Sequence, residues 1–518
     1  MPSHYKAFLV VMVLTLLAFW LARPAFTRFM ADEDFVRRRN LWLSLTAAAF
    51  LLPSFWLYMG VAAVLIWRAG KRDPNPAALY LFLLLVVPPF SQPVPGFGLV
   101  NYLFPLNHFR LLGLALIVPA ALSIRRAAKG PYGQATPTTW LAPDVLLIIY
   151  GVIQTVLYAP YSPLTGSMRS LFLLAVDVLL PYYVLSRCCT SKPMIVEAIA
   201  ALALSAVVLA PLALFEAAKG WLMYSDIAGH WGINNDVIGY LMRSDVLRAQ
   251  VTSGQSIVLG AFYAAVLGLW LYLQSDLKAV HRWLGTAAVL GGLLATLSRG
   301  PWVGAVVVGF VYFAAGPNAI SRVFKLVGIS AVVSAGLLAS PMGASIIDHM
   351  PFIGTVDAGN VDYRQAVNDR SWLIIRQNPF FGSPYFGNYM EDLRNGQGLI
   401  DLLNAYLSIG MAYGLVTLAV FLLFLASVGY RCFKVARLNA ATDPDTSKLG
   451  AALLASFLGM LVIIYTVNNY LSVPYIYLGL AALMVAYSRM PTVVAAEVSA
   501  VVPIDRSSGL RRPSRQQV

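Results

Sequence analysis

Long apolar runs separated by short polar stretches recur from residue 7 to residue 488. Fourteen of them predict helical segments: 7–22, 41–67, 77–90, 108–124, 141–158, 168–186, 195–216, 253–274, 284–297, 301–315, 326–341, 402–430, 449–471 and 473–488. In lipid a backbone must satisfy its own N–H and C=O groups, and within one segment only a helix does so. The alternating pattern of a membrane barrel is missing. A 14-residue helix reaches about 21 Å against a hydrocarbon core of about 30 Å. Segment 77–90 and the pair around Ser298 therefore read as half-spans or tilted elements, and the expected architecture is an all-α polytopic membrane protein of 12–14 crossings.

Composition agrees, since 59% of the 518 residues are hydrophobic and only 12% are charged. A water-soluble fold of this length could not cover that much apolar surface. The net charge of +14 would suggest nucleic acid in a soluble chain, but Lys and Arg collect in short loops between the runs, where they set orientation and attract anionic headgroups. Basic loops at 68–72, 125–129, 187–192, 278–282, 322–325 and 431–437, and the tail after Arg489, are predicted to be cytoplasmic. Arg37, Arg38 and Arg39 conflict with this if 41–67 is one span; a hairpin broken at Pro53 removes the conflict, though 27 residues are few for two crossings. Run 7–22 is followed by Arg23 and Pro24 without a small-residue cleavage site, so it reads as an anchor rather than a signal peptide. Three cysteines on the cytoplasmic side imply no disulfide framework.

The expected organisation is transmembrane helices over 1–341 with an outward loop at 217–252, a large outward loop at 342–401, further transmembrane helices over 402–488, and a basic, flexible tail over 489–518. Loops this long are usually functional or disordered. Trp372, Leu373, Ile374, Ile375, Phe380, Phe381, Tyr385 and Phe386 give the larger one the material for a small folded cap. Val367, Ile374 and Ile375 have helical spacing, ended by Asn378-Pro379.

Arg299 lies between two apolar stretches, at or below the outer headgroup level, where charge is costly without a partner. Two readings are open: a snorkelling side chain in a tight turn, or a planar fork holding a phosphate. Arg248, Arg364, Arg370 and Arg376 lie on the same outward side, which topology should leave poor in positive charge. Their gathering there favours an anionic substrate, with salt bridges to Asp362, Asp369 or Asp392 as the competing reading. Five scattered histidines lack ligand spacing, and there is no phosphate loop or nucleophile elbow, so no metal, nucleotide or other cofactor is implied.

At these residues the chain resembles the O-antigen ligase and O-antigen or exopolysaccharide polymerase superfamily of bacterial envelope enzymes. The matching pieces are Arg248-Ala-Gln-Val-Thr-Ser-Gly-Gln-Ser-Ile257, Ser298-Arg299-Gly300-Pro-Trp302, Asn378-Pro-Phe-Phe-Gly382, and Asp401-Leu-Leu-Asn404-Ala-Tyr406-Leu407 followed by Gly410 and Gly414. The resemblance covers roughly 240–430. It implies a metal-independent glycosyltransferase of the inner membrane that uses a polyprenyl-diphosphate-linked oligosaccharide as donor and a glycan hydroxyl as acceptor. Membrane lipids surround it, and a chain-length regulator and export proteins are its implied partners; nucleic acid is not one. Arg248 and Arg299, with Arg364 and Arg370, would bind the diphosphate, and Asn404 and Tyr406 belong to the substrate-binding set. Family ligases carry a His immediately before the Asn of the last motif, where this chain has Leu403. A leucine cannot take a proton, so Asp401, Glu391 or Asp392 become the candidate bases, and repeat-unit polymerisation is favoured over lipid A core ligation. The competing class is a flippase or polysaccharide transporter, and a third reading is a degenerate member acting as an assembly scaffold.

Overall fold

The structure is a computed structural model and describes residues 2–98, 100–129, 139–235, 237–243, 246–315, 358–394, 400, 402 and 404–490. Apolar runs become helices throughout that part of the chain. The first four are α1 (Ser3–Phe26), α2 (Asp32–Leu51), α3 (Phe55–Arg72) and the short α4 (Pro76–Leu83). A hairpin, β1 (Gln92–Pro95) and β2 (Tyr102–Leu106), leads into α5 (His108–Leu112), which runs through a π-helical stretch into α6 (Val118–Lys129). Next come α7 (Ala142–Tyr158), then α8 (Leu164–Leu173), joined by a second π-helical stretch to α9 (Leu180–Cys188), then α10 (Lys192–Lys219) and α11 (Asp226–His230). The small hairpin of β3 (Met242–Arg243) and β4 (Val246–Leu247) precedes α12 (Ser256–Leu273), α13 (Ala279–Ala295) and α14 (Arg299–Ala314). The chain continues in α15 (Ala358–Gln377), α16 (Ala405–Leu438), α17 (Pro444–Ile463) and α18 (Val473–Ser488). Among the described residues, eight helical stretches are long and apolar enough to cross a membrane, and α14 and α18 are shorter apolar helices. The expected span 326–341, the loop 322–325 and the tail from 491 lie outside the described residues.

The segment 41–67 is not one span. Its chain breaks at Leu52–Ser54, and α2 starts nine residues before the apolar run does. Helices α2 and α3 are antiparallel, because Arg37 Nη1 donates to Arg72 O at 2.6 Å and Arg38 forks onto Asp73 with Nε and Nη2 at 2.8 Å each. Arg38 is fully buried and also meets Glu197 of α10 at 2.7 Å. Pro53 ends the first helix, and the second helix starts within three residues of it. Arg37–Arg39 therefore stand beside the basic loop 68–72, which removes the conflict with the charge rule.

Contacts between turns sort them into two ends. At one end Arg28 donates to Asp276 O, Asn75 to Met194 O (2.9 Å), Tyr272 to Asp445 (3.2 Å), and Lys192 pairs with Asp445 (2.7 Å). At the other, the His4 and His230 rings stack, Trp231 donates to Leu52 O (3.1 Å), and Tyr385 to Tyr161 O (2.7 Å). The described basic loops share the first end, and the long loops share the second. Of the cysteines, Cys432 is not in a loop but buried within α16, its thiol facing Gly450 O.

Helix α15 and the 3₁₀ turn Phe386–Leu393 build a small unit with its own core of Val367, Ile374, Ile375 and Met390, closed by Met411 of α16. Only some of the expected aromatic material enters it. Trp372, Leu373, Phe380, Phe381 and Tyr385 are exposed, since one helical face cannot hold positions 372–375 together. The unit is stitched into α16 where that helix breaks at Gly414 (φ 77°, ψ 174°). Leu415 N donates to Pro379 O (2.7 Å), Val416 N to Phe380 O (3.4 Å), and Ser383 N to Met411 O (2.7 Å). The backbone groups released by the kink are thus satisfied by the Asn378–Gly382 segment.

Candidate functional site

The turn Thr296–Ser298, between α13 and α14, organises the site. Leu297 is held at φ 46°, a conformation that costs a non-glycine residue about 1–3 kcal/mol and tends to mark functional turns. Ser298 Oγ donates to Thr296 O at 3.0 Å and accepts from Arg248 Nη2 at 2.9 Å. Arg248 Nε also donates to Thr296 O at 3.3 Å, and Arg243 Nη1 to Leu297 O at 2.7 Å. Arg299 follows directly as the first residue of α14, its Nε and Nη2 shut off from solvent. Two arginines distant in sequence therefore dock on the turn that carries a third. Arg248 and Arg299 were expected here; Arg243 was not, because it lay in a loop with no motif around it.

Glu216, also missed, explains how Arg248 is held. Its fully buried carboxylate accepts Met223 N on Oε1 (3.1 Å) and both Gln250 N (3.0 Å) and Val251 N (2.8 Å) on Oε2. Val251, at φ 46°, turns the chain so that both amides point at one oxygen. Ala249 N donates to Ala295 O (3.0 Å), fixing the segment after β4 against the end of α13. The available signal was an acid closing the apolar run 195–216, whose other acid, Glu197, lies in its first turn.

The start of α16 reaches the same region through the turn after α17. Ala405 N donates to Ile464 O at 2.9 Å, and a Cβ on Gly300 would press on Thr466. Asn404 Oδ1 accepts Tyr406 N (2.9 Å) and Leu407 N (3.2 Å), so that oxygen caps the helix. Tyr406 OH donates to Leu461 O at 2.9 Å, which joins α16 to α17. Both side chains hold the scaffold at this point.

The remaining candidates sit in the cap. Arg370 forks onto Asp392 (3.3 and 2.9 Å) and donates to Tyr389 O (2.8 Å), so of the two sequence readings the salt bridge is the one seen. Arg364 and Glu391 are exposed. Asp401 and Leu403 lie outside the described residues. Among the described residues no cluster of three or more His, Cys, Asp or Glu could hold a metal ion.

This arrangement defines a multi-pass membrane protein with a basic turn at the end carrying the long loops, next to a cap anchored in a broken helix. Residues 284–422, which include Arg299, the cap and the kinked start of α16, match the family model described as O-antigen ligase. The chain is also 27% identical over 148 residues to an O-antigen ligase of Salmonella typhimurium, a match covering 27% of this chain and 34% of that protein. Both findings support the O-antigen ligase and polymerase superfamily. The match spans about a third of the relative's length and leaves most of this chain uncovered.

Proposed function

We propose that this chain is a membrane glycosyltransferase that transfers or polymerises polyprenyl-diphosphate-linked oligosaccharide on the periplasmic face of the bacterial inner membrane, in O-antigen or exopolysaccharide assembly. The observation that carries the reading is the docking of Arg248, from outside the segment that matches the ligase family, onto Thr296 and Ser298 within it, immediately before Arg299. Guanidinium groups at a membrane end suit a diphosphate, whose charge grows as it leaves. In this reading an acceptor hydroxyl attacks the anomeric carbon, the bond from that carbon to the diphosphate oxygen breaks, and the configuration inverts. The hydroxyl proton passes to a carboxylate, for which Asp401 is the better placed candidate in sequence and Glu391 the alternative. Polyprenyl diphosphate departs as the anion held by arginine. Neither metal nor nucleotide enters, because the donor is already activated. Leu403 in place of the family His favours polymerisation over ligation to lipid A core.

The test is incubation of purified protein with lipid-linked repeat units. Lengthened or transferred glycan together with free polyprenyl diphosphate is expected. A carrier would move the lipid across vesicles and release no diphosphate, and that outcome would sink the enzyme reading.

A further inference from the structure

The end of the bundle opposite the candidate site holds a cavity of about 260 Å³ between α6, α7 and α9. Helix α6 packs on α9, whereas α7 packs mainly on α16, and the cleft opens between α6 and α7. Its walls are aliphatic, with Val118, Ala121, Leu147, Ile148, Leu179 and Leu180 facing inward. Leu122 and Trp140, both on the lining, are largely exposed, so the cleft faces the lipid rather than the interior.

Its polar end is a charge cluster with more positive than negative groups. Asp144 is buried and saturated: Oδ1 accepts Tyr182 OH (3.0 Å), and Oδ2 accepts Leu141 N (2.8 Å), Arg187 Nη2 (3.1 Å) and Arg489 Nη2 (2.7 Å). One carboxylate thus faces two guanidinium groups that are themselves 2% and 6% exposed. Arg125 adds a third at the rim, and among the described residues the lining holds no acid besides Asp144. Arg187 is further held by Ser186 Oγ (2.9 Å) and by the faces of Tyr183 and Trp140. Burying an excess of positive charge is costly unless an anion completes it. An aliphatic slot open to lipid, ending in a basic pocket, has the chemistry of an anionic lipid: phosphate at the arginines, acyl chain along the wall.

We infer that the cleft between α6, α7 and α9 binds an anionic phospholipid, its phosphate at Arg125 and Arg187 and one chain along Ala121 and Leu147. This site lies at the end carrying the basic loops and is independent of the proposed transfer reaction. The full chain in detergent, presented with dioleoylphosphatidylglycerol, dioleoylphosphatidylcholine or inorganic phosphate, tests it by native mass spectrometry and thermal unfolding. Phosphatidylglycerol should be retained as a discrete adduct and raise the melting temperature, with phosphatidylcholine and inorganic phosphate doing neither. Arg125→Gln, on an exposed side chain, should weaken retention about fivefold, and Ala121→Trp, which fills the slot, should abolish it. Equal retention of phosphatidylcholine, equal protection by inorganic phosphate, or wild-type retention in Arg125→Gln would each overturn the assignment. Should Ala121→Trp fail to fold, the Arg125→Gln comparison decides alone.

Discussion

Gly382 and Gly414 lie backbone against backbone: a Cβ on Gly382 would meet Gly414 N, and one on Gly414 would meet Phe380 O. Both have positive φ, 66° and 77°. The contact joins the end of the cap to the break in α16, and two motif glycines 32 positions apart are explained by one approach.

Gly382→Ala should therefore destabilise the cap by more than about 2 kcal/mol, combining left-handed strain with overlap against backbone that cannot yield. Limited proteolysis should cut between 358 and 404 sooner than in wild type, while the transmembrane helical signal in circular dichroism stays. Unchanged protease resistance would refute the stitched arrangement.

Arg299→Lys and Arg248→Lys keep charge and lose the planar fork. Under the proposed function each should shorten the glycan product, with a loss of roughly tenfold or more in transfer rate at unchanged protein level. Arg248→Lys should be the milder at the turn, because a single ammonium can still reach Thr296 O or Ser298 Oγ. Gel profiles of the glycan against membrane immunoblots measure both. Full-length product from Arg299→Lys would remove it from the diphosphate site.

Glu216→Gln should act on Arg248 from a distance. The amide oxygen can still accept Gln250 N and Val251 N, but its NH₂ then faces Met223 N donor to donor. The cost should be about 1–3 kcal/mol. Activity should fall, and a double mutant with Arg248→Lys should lose less than the sum of the single losses, because Glu216 positions the segment on which Arg248 sits. Strict additivity would separate the two residues.

Arg370 and Asp392 are 38% and 57% exposed, and their pair should be worth less than about 1 kcal/mol. Arg370→Ala, Asp392→Ala and the double variant should unfold at nearly the same temperature and retain product length. A loss specific to Arg370→Ala, absent from Asp392→Ala, would return Arg370 to the substrate-binding set.

Hydropathy and loop charge alone determined that this chain is helical, crosses the membrane many times, and places its basic loops at one end. Those properties depend on each residue's own transfer energy and on backbone satisfaction within a segment, so they can be read locally. The helix over Ala358–Gln377, with Val367, Ile374 and Ile375 inward, was legible for the same reason. Arg248 and Arg299 could be named, but not what brings them to one turn. That required Glu216 to bind the amides of residues 34 and 35 positions away, and a turn in which Leu297 is strained. The split of 41–67 was also undecided, since apolar residues continue on both sides of Pro53; the Arg38–Asp73–Glu197 cluster settles it by placing both helix ends together. Tertiary structure likewise decided that Arg370 pairs with Asp392, because charge pairing depends on which side chains converge, and a linear pattern does not carry that distance.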